Sequence, residues 1–88
     1  MTIFLSFAKE INEDMEKIYC FDKNDKIEIK KIDTTPEKRK IYEKSGILEG
    51  AILEIFFKYQ KYLIVKIGEN KFALSAEATK EIFGERLF

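Results

Sequence analysis

Two groups of side chains in this sequence can do chemistry. One is a run of fixed positive charge, Lys38, Arg39 and Lys40, with Lys44 four residues further on. The other is a pair of tyrosines, Tyr59 and Tyr62, flanking a short polar turn. Both chemistries are recognition rather than bond-making. Clustered cations meet acidic surfaces and speed encounter, and tyrosines at a turn bring large contact area at low entropy cost. A plain structural reading stands beside each: a solvated helix face for the cations, rings covering the end of a sheet for the tyrosines. Between the two groups lies Gly46-Ile47-Leu48-Glu49-Gly50. Gly46 and Gly50 suit positions where backbone geometry is special. Ile47 and Leu48 are either core or an exposed knob.

Bond-making chemistry has little to work with. The chain has no His, no Trp and a single Cys, Cys20, expected as a small buried hydrophobe. One thiol makes no disulfide within a chain, and zinc sites of Cys and His, Ser-His-Asp triads and Cys-His pairs are excluded. The glycines stand at 46, 50, 68 and 84, in no phosphate-cradling array, and no Asp-rich calcium loop occurs. Carboxylates remain as ligands for a hard cation, but no spacing groups them. The expectation is a chain that is not an enzyme, with no cofactor and no metal site of its own.

Charge narrows the partners. Sixteen basic residues balance sixteen acidic ones over 88 residues. That neutrality removes the usual argument for general nucleic-acid binding. The distribution is uneven: residues 1–22 are acidic, and residues 23–44 hold eight basic and five acidic side chains. The apolar opening, Ile3 to Ala8, is too short for a signal peptide or a span of about 20 residues. A cytoplasmic chain without membrane insertion is expected.

These residues need elements to hold them. Phe4, Ala8, Ile11, Met15 and Ile18 recur at helical spacing and predict an amphipathic helix over 2–19. Its apolar stripe needs cover, from the parent domain or from a second copy. Asp22-Lys23-Asn24-Asp25 reads as a turn in which Asn24 takes positive φ. Residues 26–30 alternate as a strand, with a bulge or an end at Lys30-Lys31. Residues 34–46 form a short basic helix, capped by Thr34 or Thr35, with Pro36 in its first turn, Ile41 and Tyr42 as its apolar contact and Gly46 past its end. Strands follow at 51–57, with Ala51, Leu53, Ile55 and Phe57 on one face, and at 62–67 and 71–74. A helix over 76–83 carries Ala76, Thr79, Ile82 and Phe83 inward, with Gly84 past its end and a last strand at 85–88. The fold class is mostly β with short helices: five strands curled into a small barrel, which removes exposed edges.

Residues 18–88 resemble a known family. Gly46-Ile47-Leu48-Glu49-Gly50 after a basic short helix, then Ala51–Phe57, Tyr62–Gly68, Phe72-Ala73-Leu74, Ala78 or Thr79, and Ile82, resemble the FeoA domain, the SH3-like barrel of bacterial ferrous-iron transport. Ile18 to Ile32 is similar to the family's opening. Lys23-Asn24 stands where Pro-Gly is common, Ser45 where an aliphatic residue is usual, and Glu49 where Pro is frequent. The resemblance implies an SH3-like barrel over 18–88 with residues 1–17 as a helical extension. It further implies an accessory that docks on FeoB, the membrane protein with a GTPase domain, and modulates iron uptake. On that reading Lys38, Arg39, Lys40, Lys44, Ile47, Leu48, Tyr59 and Tyr62 are the candidate docking residues, and iron is handled by the partner. Two other classes remain open: a module that self-associates through helix 2–19, and a small-barrel nucleic-acid binder using Lys30, Lys31 and Lys38–Lys40.

Overall fold

A computed structural model describes residues 15–87. The elements in chain order are β1 (Glu16–Lys17), a 3-10 turn (Ile18–Cys20), β2 (Lys26–Ile32), α1 (Pro36–Lys44), β3 (Ile52–Lys58), β4 (Tyr62–Ile67), β5 (Asn70–Ser75), α2 (Ala76–Thr79) and β6 (Ile82–Leu87). The strands make one six-stranded sheet in the order β1-β6-β2-β3-β4-β5, every pair antiparallel. Five strands were expected, and the sixth is β1. Glu16 pairs with Gly84 and Lys17 with Phe83, so the end of the expected helix 2–19 is extended chain and then a 3-10 turn. The turn seats Ile18 in the core with no exposure, so this member of the expected stripe is buried without a helix. The rest of that expected helix, its apolar stripe and self-association through it lie outside the described residues.

The core is built from the inward faces of the strands. Ile27, Ile29, Leu53, Ile55, Leu63 and Val65 are completely buried, each at the spacing of two that a pleated strand requires. Full burial of each such side chain stabilises the fold by about 1.5–3 kcal/mol relative to exposure. Two bulges bend the sheet. Lys30 is the extra residue on β2, where Ile29 pairs with Gly84 and Lys31 with Phe83. It lengthens the step between inward residues to three, so Ile32 is buried again. Phe56 is the extra residue on β3, where Ile55 pairs with Val65 and Phe57 with Ile64. That shift turns Phe57 outward, against the expectation that it would share a face with Leu53 and Ile55.

The C-terminal segment departs further. α2 ends at Thr79, and Ile82 already pairs with Ile32, so β6 runs along the whole of β2. Residues 82–84 are strand rather than helix because β2 would otherwise lack a partner for its ladder. Gly84 is buried inside that strand and caps nothing. Ser75 does cap α2, accepting from the Ala78 N–H at 3.2 Å. Cys20 is exposed, not buried, because the 3-10 turn spends its inward position on Ile18.

Candidate functional site

The basic helix is held by its own charges. Thr35 is the cap, its side chain accepting from the Lys38 N–H at 3.2 Å. Thr34 is thereby left to another partner: its hydroxyl donates to Glu81 Oε1 at 3.0 Å. Tyr42 donates to the same oxygen at 2.9 Å, and Lys38 Nζ donates to Glu81 Oε2 at 3.2 Å. Burial would raise the Glu81 carboxyl, but these three donors outweigh it and hold its pKa below the ordinary value. The Tyr42 phenol is pushed up to about 12, by burial first and then by its bond to the Glu81 carboxylate.

Arg39 makes a second clasp. Its Nη1 donates to both oxygens of Glu49 at 3.2 Å, and its Nη2 donates to the Ile32 carbonyl at 2.6 Å. The Ile32 N–H donates back to Glu49 at 3.3 Å. The Glu49 carboxyl is held low, chiefly by its own backbone N–H, with Arg39 adding to the effect against desolvation. Arg39 therefore ties α1 to the end of β2 and to the loop 46–50.

That loop is shaped by its glycines. Gly46 has φ +88° and Gly50 φ +93°, both in the left-handed region that a side chain resists. Between them the chain turns so that Ile47 is 1% exposed and Leu48 is 42% exposed. The two readings of this pair each hold for one residue: Ile47 is core and Leu48 is the knob. Ile41, expected to pack inward with Tyr42, is 62% exposed, because α1 rests on the sheet through Tyr42. The outer face of α1 thus presents Ile41, Lys40 and Lys44, with Leu48 on the loop beyond. Of the four candidate cations, Lys38 and Arg39 are engaged within the fold, while Lys40 and Lys44 are exposed on the helix surface. A shallow hollow of about 290 Å³ between α1 and α2 is lined by Lys38, Ile41, Tyr42, Ser75, Glu77 and Ala78.

Tyr59 and Tyr62 sit elsewhere, at the β3–β4 turn, with the Ser75–Ala78 corner between them and α1. Their rings stack, with centroids 4.7 Å apart. Phe57 joins Tyr59 at 6.0 Å and Phe56 at 5.1 Å. The candidate residues are thus divided between two surfaces. Glu81 and Glu49 were not legible as organisers, since both act on residues far from them in the chain. The outward Phe57 had a signal: Phe56-Phe57 doubles an aromatic where the alternation of β3 should continue.

Among the described residues no group of three or more Cys, Asp or Glu side chains is arranged to hold a metal ion. No helix among them is long and apolar enough to cross a membrane.

No family model and no curated protein matches the sequence. Solved structures do match in fold. A crystal structure of an iron uptake regulatory protein, FeoA, superposes with a TM-score of 0.78 at 16% identity, covering 83% of this chain and 99% of that one. The NMR structure of a FeoA-like protein from Clostridium acetobutylicum gives 0.75 at 17% identity, covering 85% and 90%. A manganese-dependent transcriptional repressor gives 0.75 at 16% identity, and there the match spans 83% of this chain but only 42% of the repressor.

Proposed function

We propose that this chain, whose fold is the FeoA-type SH3-like fold, is a non-enzymatic cytoplasmic accessory of ferrous-iron transport that docks on a FeoB-type membrane GTPase. The observation that carries the reading is the match to FeoA over 99% of that chain's length, which makes the shared fold the whole of the neighbour rather than one domain of it. Fold alone does not give function. The surface chemistry adds to it: α1 offers Lys40 and Lys44 beside the exposed Ile41, and the loop after it exposes Leu48, a combination suited to an acidic protein surface with apolar contacts. The Glu81 and Glu49 clasps tie α1 to the turn before β6, to the end of β2 and to the 46–50 loop, so this face is preorganised and little ordering entropy is lost on docking.

The test is binding of the purified full chain to a FeoB cytoplasmic GTPase domain at low salt, in nucleotide-free, GDP-bound and GTP-analogue states. Binding is expected in at least one state. Lys40→Glu with Lys44→Glu should weaken it at least about tenfold, chiefly through slower association. Absence of binding in every state overturns the proposal.

A further inference from the structure

The outer face of β3–β5 is apolar where an outward sheet face is ordinarily polar. Registration places Phe57 beside Ile64 and Ile64 beside Ala73, all in one row across three strands. Tyr62 lies in the next row, opposite Ser75, and Tyr59 stacks on Tyr62. Phe57 and Tyr62 are 38% exposed and Tyr59 is 44% exposed. The patch lies on the outside of a bent sheet.

Two lysines lie directly over its rings. Lys23 Nζ lies 4.4 Å from the centre of the Phe57 ring, and Lys71 Nζ lies 4.0 Å from that of Phe56. Lys61 lies in the turn beside Tyr62, whereas Lys58 pairs with the buried Leu63 and turns to the other face, donating to the Phe21 carbonyl at 3.1 Å. Acidic side chains at the margin include Asp22, 3.9 Å from Lys58, Glu54, which pairs across the ladder with Lys66, and the exposed Glu77, next to Ala76, whose N–H donates to the Lys61 carbonyl. Lys23 and Lys71 are thus held directly against outward rings of a chain with no net charge.

Three occupants can be weighed on this geometry. A second copy of the chain would set these lysines against their own counterparts. A single-stranded nucleic acid needs open ring faces for its bases. Here Tyr59 and Tyr62 cover each other, and Lys23 and Lys71 lie over Phe57 and Phe56. An anionic bilayer surface asks for neither a pocket nor free ring faces. Aromatic rings settle at headgroup level, and nearby lysines each contribute about 1 kcal/mol of attraction to an anionic leaflet. We propose that the β3–β5 face adsorbs to anionic lipid headgroups, with Phe57, Tyr59 and Tyr62 at the interface and Lys23, Lys61 and Lys71 around them. This is adsorption to a surface, not insertion, and it does not depend on the docking of α1.

The test is co-sedimentation of the full chain with vesicles of equimolar phosphatidylglycerol and phosphatidylcholine, against vesicles of phosphatidylcholine alone. Binding is expected to the anionic vesicles at low salt and to fall steeply at high salt. Tyr59→Ser with Tyr62→Ser, and separately Lys23→Glu with Lys71→Glu, should each lower the vesicle partition coefficient at least about tenfold. All four side chains lie on the surface, so unchanged circular dichroism and melting will certify that the variants fold. Absence of wild-type binding to anionic vesicles overturns the proposal. So does equal binding to neutral ones, or undiminished binding by both variants, which would place the lipid contact on another part of the chain. Binding to oligo(dT) or polyglutamate that both variants abolish, without vesicle binding, would assign the face to nucleic acid or to an acidic protein instead. Vesicles contain no GTPase, and the GTPase-domain assay contains no lipid, so the two readings fail separately.

Discussion

Replacing Gly84 by Ala should be the costliest single methyl added at any glycine of this protein. Gly84 sits in the middle of β6, paired with Glu16 on one side and Ile29 on the other. A Cβ there would lie 2.8 Å from the Glu28 carbonyl oxygen and inside contact distance of Ile27 Cγ2. Neither neighbour can yield easily: one is backbone in the ladder, and the other is a completely buried side chain. Overpacking of this kind costs about 1–3 kcal/mol, and contact with backbone belongs at the upper end. Alanine returns about 0.4–1 kcal/mol by narrowing the unfolded ensemble. The net is a loss of about 2 kcal/mol, or roughly 8–16 °C in melting temperature for a domain of this size. Gly68 is the comparison: its φ is +61°, and a Cβ there would meet nothing within 4 Å. Ala there should cost about 1 kcal/mol of conformational strain, and Asn, which tolerates that region, should recover part of it. Urea midpoints of the two Ala variants and of Gly68→Asn and Gly84→Asn test the argument. Asn at position 84 should be worse than Ala, not better. A Gly84→Ala variant within about 0.5 kcal/mol of the parent would refute the reasoning, since it would mean β6 moves away from β2 at little cost.

Other outcomes follow from the clasps. Glu81 and Glu49, together with Asp25, which accepts from the Asp22 N–H at 2.8 Å and from Arg86 at 3.0 Å, all hold carboxyl pKa values below their ordinary ones in the folded state. Their stabilisation is complete above the unfolded values near 3.8–4.5 and is lost as pH falls through the lower folded values. Urea midpoints should therefore drop on acidification through that range, and Glu81→Gln should flatten part of the drop. Tyr42 has the opposite sign: its phenol is raised to about 12, so its contribution fades as pH rises above 10 toward that value. Tyr42→Phe should remove one high-pH component from the tyrosinate absorbance titration and cost about 1 kcal/mol in the neutral range. Cys20 is exposed and should react with a thiol reagent in the folded protein without a need for unfolding; protection until denaturant is added would contradict the placement of the 3-10 turn.

The sequence was most legible where one local rule acted. Thr35 and Pro36 start α1, Gly46 follows it in the left-handed region, and Asn24 takes φ +77° in its turn. The parity break at Lys30-Lys31 announced a bulge. Reading failed where a distant partner decided. Residues 82–84 fit a helical spacing as well as a strand, and only β2 settles the matter by offering its ladder. Glu16 and Lys17 carry no strand pattern and become β1 by pairing with β6. Within the candidate surfaces, the run Lys38-Arg39-Lys40 looked uniform, yet its first two members are turned to Glu81 and Glu49. Those acids lie 43 and 10 residues away, beyond the reach of any local pattern.

The bulge at Phe56 has a consequence for how such a protein can change. One extra residue on β3 decides which aromatic rings meet water and which meet the interior. Deleting a single codon there would restore plain alternation and swing the downstream part of the strand through half a turn, exchanging the inner inventory for the outer one. A lineage can therefore turn Phe57 outward or inward in one insertion or deletion event, while Tyr62 and Ile64 on β4 keep their face.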